Sequence, residues 1–212
     1  MVVTGLGCLT PIGCNKDDFW KSLLEGKSGA KTIDFLDVDK LPVKFSASVK
    51  DFQSDKYFDK KDLKKMDLFM QYGMAAGIDA VADAKLLESQ CNPDRIGISI
   101  GSGIGGLYNI ENTRDTFIKS GSRRISPFFV PASIINMISG NLSIKYGFKG
   151  PNLSIVTACT TGTHNIGEGF RQIQYSHADV MICGGAEMAT SDLGVGGFAA
   201  ARALSTRNDS PE

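Results

Sequence analysis

Residues 154–167, SIVTACTTGTHNIG, set a thiol at the junction of an apolar run and a run of hydroxyls and glycines. The apolar run at 153–156 reads as the end of a strand, and helical periodicity begins near Thr161. Cys159 then sits at or just before a helix N-terminus, above the carboxyl end of a strand, where ligands of open α/β sheets collect. Unpaired N–H groups and the positive end of a helix dipole stabilise a thiolate there. The same groups can receive a developing oxyanion. Gly162 leaves room for a substrate, and Thr157 and Thr160 add hydroxyls. The competing reading is a packed structural cysteine, and the local pattern leaves both open. Cys8, Cys14, Cys91 and Cys183 lack such a context and read as structural.

A nucleophilic cysteine needs a base or a hydrogen-bonding acid beside it. The chain has two histidines. His164 follows Cys159 by five positions, about 140° around a helix, and therefore points away. His177 falls near the far end of the same predicted helix, where it can face the helix C-terminus. Neither is a good partner. A catalytic Cys159 would draw its proton-handling groups from another subunit or another segment.

A second motif competes for attention. Gly101, Gly103 and Gly106 spell G-x-G-x-x-G between a predicted strand and a predicted helix. A dinucleotide site also needs an acidic residue about 20 positions further on for the ribose hydroxyls. No Asp or Glu occurs from 116 to 167, and Arg123 and Arg124 lie in a Gly-Ser turn rather than at a strand end. The dinucleotide reading is therefore set aside. The glycines instead let backbone pass close to a neighbouring site, with Ile104 projecting into it.

These residues need a frame. Short strands are expected at 2–6, 95–100, 153–158 and 179–183, with a strand or extended excursion at 43–49. A helix capped by Asn15 and closed by Gly26 places Phe19, Trp20, Leu23 and Leu24 on one face. Further helices are expected at 61–87, 107–119, 132–146 and 161–175. In the longest, Leu63, Met66, Phe69, Met70, Met74, Ile78 and Val81 recur at helical spacing, and a core stripe is the simplest account of them. Alternation of strand and helix implies an α/β protein with a mainly parallel sheet covered on both faces.

Composition narrows the function. Lys and Arg total 23, as do Asp and Glu, so the net charge is zero. That argues against a nucleic-acid or membrane-surface partner. Five scattered cysteines with no C-x-x-C pair argue against zinc or a disulfide framework and suit a reducing, cytoplasmic setting. No secretory leader is evident, and the uncharged stretch at 125–144 is too polar and too interrupted to span a membrane. The long acid-free segment is expected to be buried against core, a partner subunit or an apolar ligand.

Several stretches together resemble the elongating β-ketoacyl-[acyl-carrier-protein] synthases, synthase II members most of all. They are VVTGLGCLTPIG at 2–13, IGSGIGG at 100–106, ISPFFVP at 125–131, VTACTTGTHNIG at 156–167, CGGAE at 183–187 and GVGGFAAARALSTRND at 194–209. The resemblance implies a thiolase-like fold of two similar halves, commonly a homodimer. It implies that residues 1–212 are one incomplete N-terminal domain with a mainly parallel five-stranded sheet, the C-terminal half being absent. The excursion at 105–150 would contribute to the acyl pocket and the dimer interface. The implied activity is decarboxylative Claisen condensation of a malonyl thioester with an acyl thioester, both delivered by acyl carrier protein. Cys159 matches the nucleophile, and Ile104, Phe129 and Phe198 match positions lining or gating the acyl pocket. No cofactor and no metal are implied. The family's two catalytic histidines lie in the second half, so the 212 residues alone are not expected to condense malonyl-carrier protein. Alternatives are a polyketide-type or thiolase-like condensing enzyme and a non-catalytic chain-length-determining partner. The last typically lacks the cysteine that is present here.

Overall fold

The computed structural model describes residues 1–211. Its centre is a three-stranded parallel sheet of β3 (Ile96–Gly101), β4 (Asn152–Leu153) and β5 (Val180–Gly185), in the order β4-β3-β5. β3 pairs with β5 along its whole length, from Ile96 opposite Val180 to Gly101 opposite Gly185. Only Ile98 and Ser99 have Cα partners in β4.

The sequence of β3, IGISIG, explains its place. Every residue of it is buried. Side chains alternate across a strand, so Ile96, Ile98 and Ile100 share one face and Gly97, Ser99 and Gly101 the other. The isoleucine face packs with Phe69, Met70, Met74 and Val81 of α3 (Leu68–Asp83) and Ile138 and Leu142 of α6 (Met137–Tyr146). The small-residue face receives α7 (Thr161–Gln174). Helices thus cover both faces, as the strand–helix alternation predicts. The Met-rich stripe is core, and the two core helices lie close: a Cβ on Gly73 would come within 2.7 Å of Ile138 Cδ1.

A second, smaller cluster joins Ile33, Val43 and Val195 with Leu41, Phe45, Ala199 and Leu204. It packs α8 (Asp192–Ala200) against an antiparallel pair, β1 (Lys31–Thr32) and β2 (Phe45–Ser46). The remaining helices are α1 (Lys16–Leu24), α2 (Lys60–Leu63), α4 (Leu107–Ser120) and α5 (Phe129–Ser133).

Several expectations are corrected. The helix expected at 61–87 is two helices, because Asp67 takes an extended backbone and its side chain accepts from Phe69 N as the cap of α3. The helix expected at 132–146 divides at Ile134, whose ψ of 137° is extended. The strand expected at 153–158 leaves the ladder after Leu153, and side chains take over from it: Ser154 Oγ donates to Ile100 O at 2.9 Å. α8 forms in a stretch for which no element is expected, with Ser191 as its cap.

The largest correction concerns the sheet, which has three parallel strands among the described residues and not five. Residues 2–6 form no strand; Val2 is 80% exposed and Val3 77%. They run beside α3, where a Cβ on Gly5 would meet Ala80 O at 2.4 Å and Leu6 N donates to Asp83 Oδ2. A slot of about 420 Å³ separates them from the outer edge of β5, roofed by Ile166, Phe170 and Ile173 of α7 and floored by Val81. A strand needs backbone partners as well as apolar residues, and the apolar run at the N-terminus has none here.

Candidate active site

Above the carboxyl ends of β3 and β5 lies an open cavity of about 510 Å³. Gly101 to Ile104, Ala158, Cys159, Thr161, Gly162, Glu187 and Phe198 are among the residues lining it. Of the four predicted site residues, Cys159, Ile104 and Phe198 therefore converge from three distant parts of the chain. Phe129 is not among the lining residues. It is half-buried at the start of α5, where its carbonyl accepts from Asn109 Nδ2 of α4.

Cys159 is exposed, in the middle of the single turn Ala158–Thr160 that feeds α7. Ala158 has a φ of 50°, a left-handed backbone that costs a residue with a Cβ roughly 1–2 kcal/mol. The strain falls on the residue that aims the thiol. Thr160, at the cap position of α7, makes no side-chain capping bond. The first-turn N–H groups of a helix have no acceptor inside it; that of Thr161 donates to Ala158 O, and no side chain caps those that follow.

The start of α7 is pinned by a buried polar device. Asn165 is fully buried. Its Oδ1 accepts from Ser99 Oγ of β3 at 2.7 Å and from Ile155 N at 3.1 Å. Its Nδ2 donates to Ile155 O and to Thr161 O. One side chain thus fastens the central strand, the segment after β4 and the helix that follows Cys159. Gly101 makes the approach possible, since a Cβ there would come within 2.2 Å of Ile155 O. Ser139 of α6 accepts from Ile100 N and donates to Leu153 O, closing the opposite side. Sequence reading passes over Asn165; the available signal is one amide four residues after Thr161 on a helix face turned towards a strand of small residues.

Neither histidine lines the cavity. His164 Nδ1 lies 2.8 Å from Thr157 Oγ1, and His177 Nδ1 lies 3.1 Å from Gln172 Oε1. His164 is thus bonded to the segment that precedes Cys159, and His177 lies just beyond the end of α7, its N–H donating to Gln172 O. Of the other thiols, Cys183 is largely enclosed, and burial pushes it up to about 11. Burial also raises Cys8 and Cys14, and Cys14 Sγ donates to Lys50 O. Cys91 is exposed and is not among the residues lining the cavity. Among the described residues, no group of three or more His, Cys, Asp or Glu could hold a metal ion, and no helix is long and apolar enough to cross a membrane.

The expected burial of the acid-free segment holds for part of it. Ala132, Ile138, Leu142 and Phe148 are in the core, whereas Phe117, Ile118, Phe128 and Val130 are exposed.

Comparison with known proteins gives this geometry a family. The family model for the N-terminal domain of beta-ketoacyl synthases matches residues 1–212. A 3-oxoacyl-[acyl-carrier-protein] synthase 2 of Vibrio cholerae is 53% identical over the whole of this chain, which covers 51% of that relative. Its counterpart in Staphylococcus aureus is 43% identical over 99% of this chain and 50% of its own length. The chain thus spans about half the length of the curated relatives it matches. Among solved structures, a beta-ketoacyl synthase from Burkholderia phymatum superposes with a TM-score of 0.83 at 26% identity, covering 99% of this chain and 52% of the other. A type II PKS acyl-carrier protein in complex with its ketosynthase gives 0.76 at 27%, covering 93% and 53%. These ketosynthase neighbours make the fold thiolase-like, and this chain belongs to the beta-ketoacyl synthase family, whose N-terminal domain it matches from end to end.

Proposed function

We propose that this chain is the nucleophile-bearing part of a 3-oxoacyl-[acyl-carrier-protein] synthase of fatty acid elongation, with Cys159 as the residue that carries the acyl chain. The observation that carries the reading is the exposed thiol beside a helix N-terminus that no side chain caps, in one cavity with Ile104 and Phe198. Cys159 Sγ attacks the carbonyl carbon of an acyl thioester. Negative charge develops on the carbonyl oxygen, where the first-turn N–H groups of α7 can meet it. The carrier thiol leaves, and the acyl group stays on Cys159. A malonyl thioester then loses carbon dioxide. The electron pair left on its methylene carbon attacks the acyl carbon, the Cys159 thiolate departs, and a 3-oxoacyl thioester results.

Acyl transfer asks for a nucleophile and an oxyanion site, both of which the cavity can supply. Decarboxylation also asks for groups that stabilise the developing enolate. His164 and His177 are bonded elsewhere. We assign that role to the half of the relatives that this chain does not span, and expect the 212 residues alone to accept an acyl group without condensing it. Acyl carrier protein as donor, a homodimer and a cytoplasmic setting belong to the same proposal. So does an apolar pocket entered past Ile104 and Phe198, with Phe129 reaching it only from a differently placed α5. The fatty acid branch is preferred to a polyketide one because the 43–53% identities are to synthase 2 proteins, against 25–27% for the ketosynthase structures. A non-catalytic role is disfavoured by the exposed thiol.

The test is intact-mass spectrometry after incubation with a long-chain acyl thioester. One acyl adduct on Cys159, absent from Cys159→Ala, is expected. Adducts shared evenly between Cys91 and Cys159, the two exposed thiols, would overturn the reading.

A further inference from the structure

Glu187 lies two residues beyond β5 and lines the same cavity as Cys159. Its carboxylate is committed. Oε1 accepts from Ser102 Oγ at 2.9 Å. Oε2 accepts from Gly103 N at 2.9 Å and from Ile104 N at 3.0 Å. Ser102 is buried, and its hydroxyl oxygen in turn accepts from Gly105 N at 3.0 Å. Three successive main-chain amides, 103 to 105, are thus held by one carboxylate and the hydroxyl it orients. Charge-assisted bonds of this kind are about twice as strong as neutral ones. The fit is tight as well: a Cβ on Gly103 would come within 2.8 Å of Glu187 Oε2.

What this clamp holds is Ile104. Its side chain is 40% exposed, so packing does not fix it. Its backbone is fixed, and the anchor is Glu187. We propose that Glu187 is a positioning residue that sets where Ile104 stands in the cavity and so governs which acyl chain lengths Cys159 accepts. This rests on the acyl-transfer reading above. Glu187 touches neither the acyl group nor the reacting atoms; it acts through the loop.

The two possible replacements differ in a useful way. Glu187→Ala removes every acceptor and leaves the amides of Gly103 and Ile104 unpaired. Glu187→Gln keeps one carbonyl oxygen for those two amides, and its amino group can donate to Ser102 Oγ. The experiment has two arms on the 212-residue chain and both variants. Hydrogen exchange reads the amides of 103 to 105. Intact-mass kinetics reads the rates at which Cys159 takes acyl groups of about six and about sixteen carbons from simple thioesters. In Glu187→Ala, exchange of the three amides is expected to rise about tenfold or more. The ratio of short-chain to long-chain acylation is expected to change at least about fivefold, with Glu187→Gln close to the parent in both arms. Unchanged exchange overturns the clamp. Faster exchange with an unchanged chain-length ratio overturns the role in selectivity while leaving acyl transfer by Cys159 standing. A parent chain that takes no acyl group overturns the functional reading, and the selectivity role with it.

Discussion

The carboxyl end of the sheet and the outer edge of β5 are built from the same strands and differ in almost everything else. At the carboxyl end, five polar side chains from four segments interlock. Asn165, Ser99, Ser139, Ser102 and Glu187 leave the backbone around Gly101 satisfied at each turn. At the outer edge, Val2 and Val3 are largely wet, and an apolar slot stands where a neighbouring strand would lie. Hydrogen bonds are directional and local, so a few side chains fix the site whatever lies beyond β5. Hydrophobic burial needs a partner surface, and although the N-terminal run touches α3 at Gly5, the side chains of Val2, Val3 and Leu6 stay exposed. Precision at the cavity and looseness at the edge are therefore compatible in one chain.

The comparison can be broken or sharpened by measurement. The largest effect is expected from Cys159→Ala, which should abolish the acyl adduct while shifting unfolding free energy by less than about 0.5 kcal/mol, since the thiol is exposed. Urea unfolding followed by circular dichroism gives the second number. Asn165→Leu comes next. It strands the Ser99 hydroxyl and Ile155 N–H in the core and should cost about 3–5 kcal/mol in the same assay. A loss under about 1 kcal/mol would show that packing rather than Asn165 holds α7.

A third measurement uses pH. Burial raises the Cys183 thiol to about 11 in the folded chain, above its ordinary value when unfolded. The folded state therefore keeps a proton that the unfolded state loses. This contribution is complete below about pH 8.5 and disappears as pH climbs towards about 11, by about 2 kcal/mol after allowance for partial exposure. Cys183→Ala should flatten that part of the stability profile, and a slope identical in both proteins would remove the effect. The smallest change is expected at the outer edge. Val3→Ser should alter stability by less than about 0.5 kcal/mol. A loss above about 2 kcal/mol would mean that residues 2–6 are buried in solution and that the contrast between the two regions is smaller than it looks.

Much of this was legible in residue order. The Ile-Gly-Ile-Ser-Ile-Gly alternation locates β3, and Asn15 caps α1 with its side chain accepting from Asp17 N and Asp18 N. The seam at Cys159 becomes a turn followed directly by α7. Other boundaries escaped because tertiary partners settle them. The helix expected at 61–87 breaks where Asp67 also accepts from Asn109 N, 42 residues away. α8 exists because Glu111 of α4 accepts from Ser191 Oγ and Leu193 N, and because Val195 fills the second apolar cluster. Phe129 matches a pocket motif by resemblance, yet its side chain goes where α5 takes it.

Residue types and their spacing determined by themselves that this chain is an α/β protein with a thiol at a strand–helix junction, because alternation and helical period are properties of neighbours in the chain. Only the tertiary structure decided which carboxylate holds Ile104, which amide pins α7, and that three strands rather than five form the sheet. Those outcomes depend on groups 10 to 85 residues apart meeting at hydrogen-bond distance, and no local pattern encodes such a meeting.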